Sequence, residues 1–252
     1  MDIYDADRAN YYDLLFQYIC TDYHDEVVKS LFPIIRDSNN ILEIGVGTGL
    51  VAERVLKLKP NCNFTGIDIS KQMLDLAKKR LGNKIKLVES DVLDMQLEES
   101  FDLAYSNSGV WYFLDTNTDN DTDNEYLLCS HINSIENNVI ALRRIAEHLK
   151  MNGLLVLSAQ GMHTDNVNKL PGDIIYQVKV SKTDTGIKRQ YTVIRENNGE
   201  IISDTIADYL ILDSNQTKQL MEESGFEQIG IEGNKKLGKN FFLSKFHIYQ
   251  KR

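Results

Sequence analysis

Apolar residues recur along this chain with two periods, and the switch between them marks the elements. Helical spacing covers Ala9–Ile19 through Tyr12, Leu15, Phe16 and Ile19, then Glu26–Ile35 through Val27, Val28, Leu31, Ile34 and Ile35. Short apolar runs follow at Ile41–Ile44, Asn63–Ile67, Ile85–Val88, Phe101–Tyr105 and Leu154–Ala159, which read as strands. Between them lie helical patterns at Leu50–Leu58, Gln72–Leu81 and Ile132–Leu149. Gly82 and Gly153 stand just past two of these helices, where a left-handed cap suits glycine. Such alternation predicts an α/β fold, a doubly wound and mostly parallel sheet with helices on both faces.

After Ala159 the pattern changes. Ile174–Val180, Tyr191–Arg195 and Ile202–Leu212 read as strands separated by turn signals at Thr185-Gly186 and Asn197-Asn198-Gly199, which suggests an antiparallel insertion. A helix from Asp213 or Ser214 to Gly225 and strands at Phe226–Ile231 and Phe241–Tyr249 return the chain to the core. One domain is expected, with lid helices at 1–38, a cofactor-binding core at 39–160, the insertion at 161–212 and a closing unit at 213–252.

The most informative stretch is Ile41-Leu42-Glu43-Ile44-Gly45-Val46-Gly47-Thr48-Gly49-Leu50. A strand runs into a turn with glycine at every second position, and the turn opens a helix. Glycine serves where the backbone takes positive φ or a ligand comes close, and a helix N-terminus presents unpaired amides. Asp68 ends the next strand, 19 residues after Gly49. An acidic residue at about that distance accepts ribose hydroxyls. Both a nicotinamide dinucleotide and S-adenosylmethionine carry such a ribose. The glycine spacing separates them, because the dinucleotide pattern G-x-G-x-x-G would need glycine where Leu50 stands.

Glu43-Ile44-Gly45-Val46-Gly47-Thr48-Gly49 resembles motif I of the class I S-adenosylmethionine-dependent methyltransferases. The resemblance runs over roughly residues 40–160, through Gly66-Ile67-Asp68-Ile69-Ser70 with Met73, Glu89-Ser90-Asp91-Val92, Phe101-Asp102-Leu103-Ala104-Tyr105-Ser106 and Leu149-Lys150-Met151-Asn152-Gly153. It implies a seven-stranded Rossmann-like sheet of order 3-2-1-4-5-7-6. It also implies S-adenosyl-L-methionine as cofactor, with Gly45, Gly47 and Gly49 along its methionine end and Glu43 in support. Asp68 would hold the ribose, Asp91 the adenine amino group, and the Val92 amide the ring. Ile69 and Ser106 fall in the same motifs and are expected beside the cofactor. Met73 either covers the adenine face or packs in the core.

Tyr11-Tyr12-Asp13 is similar to the lid of small-molecule N-methyltransferases, such as the amino-sugar dimethyltransferases and the glycine and sarcosine enzymes. There Tyr12 matches a lid tyrosine expected to touch both cofactor and acceptor. Those amino-sugar enzymes tend to carry His where this chain has Trp111, which departs from the pattern. Trp111 and Tyr112 follow the fourth strand, and serve either as an aromatic wall for a cationic amine or as packing. His163, beyond the fifth strand, is the candidate general base, or else an exposed loop histidine. Asp165-Asn166 raises the rival of a metal-assisted O-methyltransferase. The glycine turn would also suit a non-catalytic cofactor-binding regulator or, less well, a dinucleotide-dependent oxidoreductase.

The net charge of −9 argues against a nucleic-acid partner, and Asn107 is not followed by the Pro-Pro-aromatic run of enzymes that methylate nucleic-acid bases. Lys78-Lys79-Arg80 reads as a solvated helix face. The polar run Asp115–Glu125 could draw in a cationic acceptor; as a calcium loop it lacks the turn glycine and the twelfth-position Glu, where Asn120 and Tyr126 stand. Cys20, Cys62 and Cys129 have neither disulfide nor zinc spacing, so no metal is expected. No apolar run reaches the ~18 residues of a membrane span. The expected protein is a cytoplasmic small-molecule methyltransferase, more at nitrogen than at oxygen, as a monomer or a homo-oligomer.

Overall fold

The computed structural model describes residues 6–20, 22–116, 125–237 and 242–252. Two helices, α1 (Ala6–Tyr18) and α2 (Tyr23–Ile35), precede the sheet. Then β1 (Asn40–Ile44), α3 (Leu50–Leu58), β2 (Asn63–Asp68), α4 (Lys71–Leu81), β3 (Lys86–Glu89) and β4 (Phe101–Ser106) alternate. These strands pair in parallel with β1 central, between β2 and β4. Alternation is steric economy here: both faces of β1 are apolar and need a helix layer each. One layer, from α2, α3 and α4, buries Leu31, Val55 and Ala77 against Ile41 and Leu103. The other, from the later helices α5 (Ile135–His148) and α6 (Ser214–Glu223), buries Leu142 and Leu220 against Leu42 and Ala104.

Two strands that the apolar pattern did not predict follow β4. They are β5 (Trp111–Asp115) and β6 (Tyr126–Ser130), which form an antiparallel hairpin. The hairpin flanks the polar run, closed by the Thr116 amide donating to the Glu125 carbonyl at 3.1 Å. Residues 117–124, on which the calcium and amine-steering readings fall, lie outside the described residues. After α5 comes β7 (Leu149–Gly161), which starts directly at the helix end. The left-handed residue there is Asn152 (φ 62°) and not the expected Gly153.

The insertion is a meander of β8 (Asn166–Leu170), β9 (Ile174–Lys182), β10 (Gly186–Arg195) and β11 (Ile201–Leu212). Asn166–Leu170 carries too few apolar residues to signal a strand, so β8 is fixed by its pairing with β9. Last, β12 (Phe226–Leu237) and β13 (Phe242–Lys251) pair antiparallel.

The seven-strand expectation is met in part: β3-β2-β1-β4-β7-β13-β12 pair in the expected order, with β7, β12 and β13 as fifth, sixth and seventh. Among the described residues, however, the sheet has thirteen strands, and its main path runs β3-β2-β1-β4-β7-β5-β6-β11-β10-β9-β8. One long strand explains the branch. Leu154–Ala159 of β7 pairs antiparallel with β13, while Ala159–Gly161 pairs in parallel with β5. The β5–β6 hairpin thereby carries the whole insertion as an extension of the same sheet, over the C-terminal ends of β1 and β4. Ligands of open α/β sheets bind at those ends.

Candidate active site

The cofactor side is made of backbone. Gly45 and Gly47 take φ of 72° and 54°, a region costly for any residue with a Cβ. A Cβ on Gly45 would lie 2.9 Å from Gly109 Cα, whereas above Gly47 the space is open. The Gly45 and Val46 amides donate to the Ile67 carbonyl at 2.9 Å each. Asp68 holds the loop from the other side, its carboxylate accepting from the Gly47 amide at 2.8 Å and the Ser70 amide at 2.9 Å. Ser70 in turn caps α4, its Oγ accepting from the Met73 amide.

Ile69 is half-exposed beside Asp68, whereas Met73 is buried. The exposed apolar face at this end therefore belongs to Ile69. Asp91 accepts the Leu93 amide at 3.0 Å, and Val92 is buried in the core. Glu43 is enclosed at the end of β1, next to the Tyr105 phenol. Burial, reinforced by the Asp68 charge, pushes its carboxyl up to about 8. Glu43 Oε2, Ser106 Oγ and Asn107 Oδ1 are buried without a hydrogen-bond partner. Unpaired polar groups of this kind, gathered where β1 and β4 end, are costly without a ligand. Open space over Gly47, the Asp68 carboxylate at the end of β2 and these orphaned atoms fit the nucleoside and amino-acid parts of S-adenosylmethionine.

Beside the glycine loop lies a chamber of about 380 Å³ between α1, the β4–β5 loop, the end of β7 and the inner face of the meander. Tyr12 lines it, its ring 4.8 Å from Phe16. α1 is latched to the cofactor loop by Asp13, which accepts from Thr48 Oγ1 and Arg80 Nη2 at 2.5 Å each. At the chamber's mouth Ser108 is left-handed, φ 56°. It is held there by its amide donating to Ser158 Oγ at 3.0 Å and its hydroxyl to Gln160 Oε1 at 3.2 Å. Non-glycine residues bear such strain mainly at functional loops.

Trp111 is not on this wall. Side chains alternate along a strand, so β5 sends Trp111 and Phe113 into the core under α5 and Tyr112 and Leu114 into the chamber side. The Trp111 indole is fully buried and donates to Asn138 Oδ1 at 2.7 Å. The aromatic wall expected of Trp111 belongs to Tyr112, whose hydroxyl lies 2.8 Å from His163 Nε2.

His163 does reach the chamber. Burial, then the Arg189 guanidinium and His131, lower it to about 2, and burial with Arg189 and Arg8 lowers His131 to about 3. Both imidazoles are neutral across the physiological range. Asp165 accepts the Val180 amide at 2.7 Å, a role that ties the start of β8 to β9. Among the described residues no three His, Cys, Asp or Glu side chains gather as metal ligands.

Arg8, His131, Tyr176, Arg189, Tyr191 and Tyr209 complete the wall, and no motif in the sequence pointed to them. One signal was present. Arg189, Tyr191 and Val193 alternate with Lys188, Gln190 and Thr192 along β10, marking one face as distinct. A second cavity of about 450 Å³, lined by Phe113, Tyr126 and His247, opens near α6 on the other face of β5, remote from the glycine loop.

Residues 41–122 match the family described as a methyltransferase domain. A malonyl-[acyl-carrier protein] O-methyltransferase of Ilyobacter polytropus is 38% identical over 71 residues, 27% of this chain and 26% of that protein. The chain thus aligns with only about a quarter of that relative's length. Among solved structures, an S-adenosylmethionine-dependent methyltransferase from Clostridium acetobutylicum superposes with a TM-score of 0.64 at 13% identity, over 96% of this chain and 98% of that one. CalS10, an amino pentose methyltransferase from Micromonospora echinaspora solved with its cofactor bound, does so with a TM-score of 0.60 at 16% identity, over 100% and 99%. At such identities these likenesses speak for the fold. Residues 41–122 are thus similar to a methyltransferase domain, on a fold that this chain shares with S-adenosylmethionine-dependent methyltransferases of known structure.

Proposed function

We propose that this protein methylates a small molecule in the chamber, at an amine nitrogen presented as the free base. S-adenosylmethionine, when bound, supplies an electrophilic methyl group. Gly45, Gly47, Gly49 and Glu43 would line its amino-acid end, with Ser106 beside them; Asp68 would hold the ribose. Ile69, Met73, Asp91 and Val92 would surround the adenine. Tyr12 closes the chamber from the lid.

One observation carries the choice of nitrogen. The chamber's imidazoles, His163 and His131, are held near 2 and 3, far below neutrality. A hydroxyl acceptor needs a base whose pKa lies near the working pH, whereas a free amine attacks through its own lone pair. His163 is thus a neutral hydrogen-bond acceptor that, with the Tyr112 hydroxyl, orients the amine, and not a strong general base. The two arginine charges also oppose protonation of a nearby amine, which keeps the nucleophile in its reactive form. A cationic, quaternary-like acceptor is disfavoured by the same charges.

The test is turnover with matched acceptors, an amine series against phenols and alcohols, with products located by mass spectrometry. N-methyl products support the reading. Exclusive O-methylation would sink it and would require a base other than His163.

A further inference from the structure

Lys78-Lys79-Arg80 reads in sequence as a solvated helix face, and only part of it is one. Lys78 and Lys79 are exposed, but Arg80 turns inward at the end of α4, with 20% of its side chain exposed. Its Nη1 donates to the Thr48 carbonyl, and its Nη2 donates to Asp13 Oδ2 at 2.5 Å. Thr48 Oγ1 donates to the other oxygen, Asp13 Oδ1, at 2.5 Å. One carboxylate on α1 thus closes a ring of three hydrogen bonds through the glycine loop and α4. Thr48 stands between Gly47 and Gly49 and is buried, so the ring sits next to the open space over Gly47.

The rest of α1 is lightly held. Its apolar stripe of Tyr12, Leu15 and Phe16, with Ile19 just past the helix end, lines the chamber and stays half-buried. Among its described side chains only Arg8 and Ala9 are buried. The neighbouring α2 buries Val27, Val28, Leu31 and Ile35. Packing of an apolar face is what fixes most helices in a fold, and an element with little of it opens locally at low cost. Polar ties therefore decide where α1 rests. One is the bond from Arg8 to Thr205 Oγ1 on the meander, 2.9 Å; the other is the ring at Asp13.

We infer that Asp13, Thr48 and Arg80 form a latch that fastens α1 to the glycine loop, and that cofactor enters and leaves when this latch opens. The ring is made of protein groups alone, so it stabilises the docked helix equally with the site empty or filled. Weakening it should speed entry and exit together and leave the affinity nearly unchanged. A group that merely touches bound cofactor would behave otherwise, since its loss raises the dissociation rate and the Kd alike.

The inference rests on S-adenosylmethionine as the ligand of the glycine loop, but the docking of α1 can be read without any ligand. Surface plasmon resonance on the full chain would follow association and dissociation of S-adenosylhomocysteine for wild type, Asp13→Ala and Asp13→Asn. Hydrogen exchange by mass spectrometry would follow the α1 amides of the same three proteins, with the α2 and α5 amides reporting that each is folded. Both rate constants should rise roughly tenfold in Asp13→Ala, the size of one lost hydrogen bond to a partly exposed charged group, with Kd within about threefold of wild type. Exchange of the α1 amides should quicken by a similar factor while α2 and α5 stay protected. Asp13→Asn keeps the shape and can still accept from Thr48, so it should move in the same direction by less.

Unchanged α1 exchange in both variants would overturn the latch, whatever the ligand does. A faster dissociation alone, with Kd weakened to match, would overturn the gate and make Asp13 a support of the bound cofactor. Failure of wild type to bind S-adenosylhomocysteine would instead strike the cofactor reading, and the exchange data would still judge the latch.

Discussion

At the glycine loop the polar groups are backbone amides and the carboxyl groups of Glu43 and Asp68, and their geometry is set by glycine φ values and one Asp68 clamp. In the chamber the polar groups are side chains from α1, β5, β9, β10 and β11, and their geometry is set by strand register and by which face each residue takes. The first site is short-range, and its positive φ values favour glycine. The second is long-range, and any side chain that fits the face can occupy it. That difference teaches where specificity for an acceptor can vary while the cofactor stays the same.

The largest effect should come from Asp68→Ala. It removes a carboxylate that holds two amides and, in the proposed site, would face the ribose; charged hydrogen bonds of this kind contribute ~1.5–3 kcal/mol each. Affinity for S-adenosylhomocysteine should fall by two orders of magnitude or more. Near-normal binding in calorimetry would show that the loop does not depend on this clamp.

Acidification probes both regions together. His24, His131, His163 and His247 are lowered to between about 2 and about 3, chiefly by burial. Their folded values lie below the unfolded 6.5, so the unfolded chain binds more protons and stability falls as pH drops below 6.5. Each imidazole costs up to ~1.4 kcal/mol per pH unit in that range. Glu43 works the other way. Its value of about 8 lies above the unfolded 4.5, so its contribution is full below 4.5 and lost as pH rises toward 8. Four imidazoles outweigh one carboxyl, and Tm should drop from pH 7 to pH 5. A flat Tm over that window would mean that the chamber histidines are accessible to protons.

Trp111→Phe and Tyr112→Phe split the two faces of β5. The first removes the indole donor to Asn138, which keeps its bonds to Ser130, Ile132 and Ser134, and should lower stability by ~0.5–1.5 kcal/mol with the acceptor KM unchanged. The second removes the partner of His163 and should lower kcat with a stability change below ~1 kcal/mol. Swapped outcomes would reverse the assignment of faces.

A smaller effect on cofactor affinity than that of Asp68→Ala is expected at Gly49→Ala. Its φ of 79° and a Cβ 2.7 Å from the flexible end of Leu81 should cost ~1–2 kcal/mol in Tm analysis, with cofactor affinity weakened less than in Asp68→Ala.

The cofactor half was readable because its chemistry is local. Gly45, Gly47, Gly49 and Asp68 announce positive φ and a ribose carboxylate by residue type and spacing alone, and the strand–helix alternation from Ile41 to Ala159 follows from two-sided burial. Trp111 shows the limit of that reading. It sits next to Tyr112, has the same aromatic character, and lies just after the fourth strand, yet whether it faces chamber or core depends on a strand whose pairing with Tyr126–Ser130 bridges the polar run. Asn166–Leu170 became a strand only because β9 offered an edge.

From the sequence alone came the class of fold and the glycine turn with its acidic partner Asp68, since each depends on neighbours within about one strand–helix unit. Tertiary structure alone decided the acceptor chamber. Arg8 and Arg189 are far apart in the chain and share the Tyr191 ring because an inserted sheet folds back over the lid helix. A protein reads local spacing through backbone geometry, but it brings distant charges together only through register and packing, and the linear order of residues does not print either.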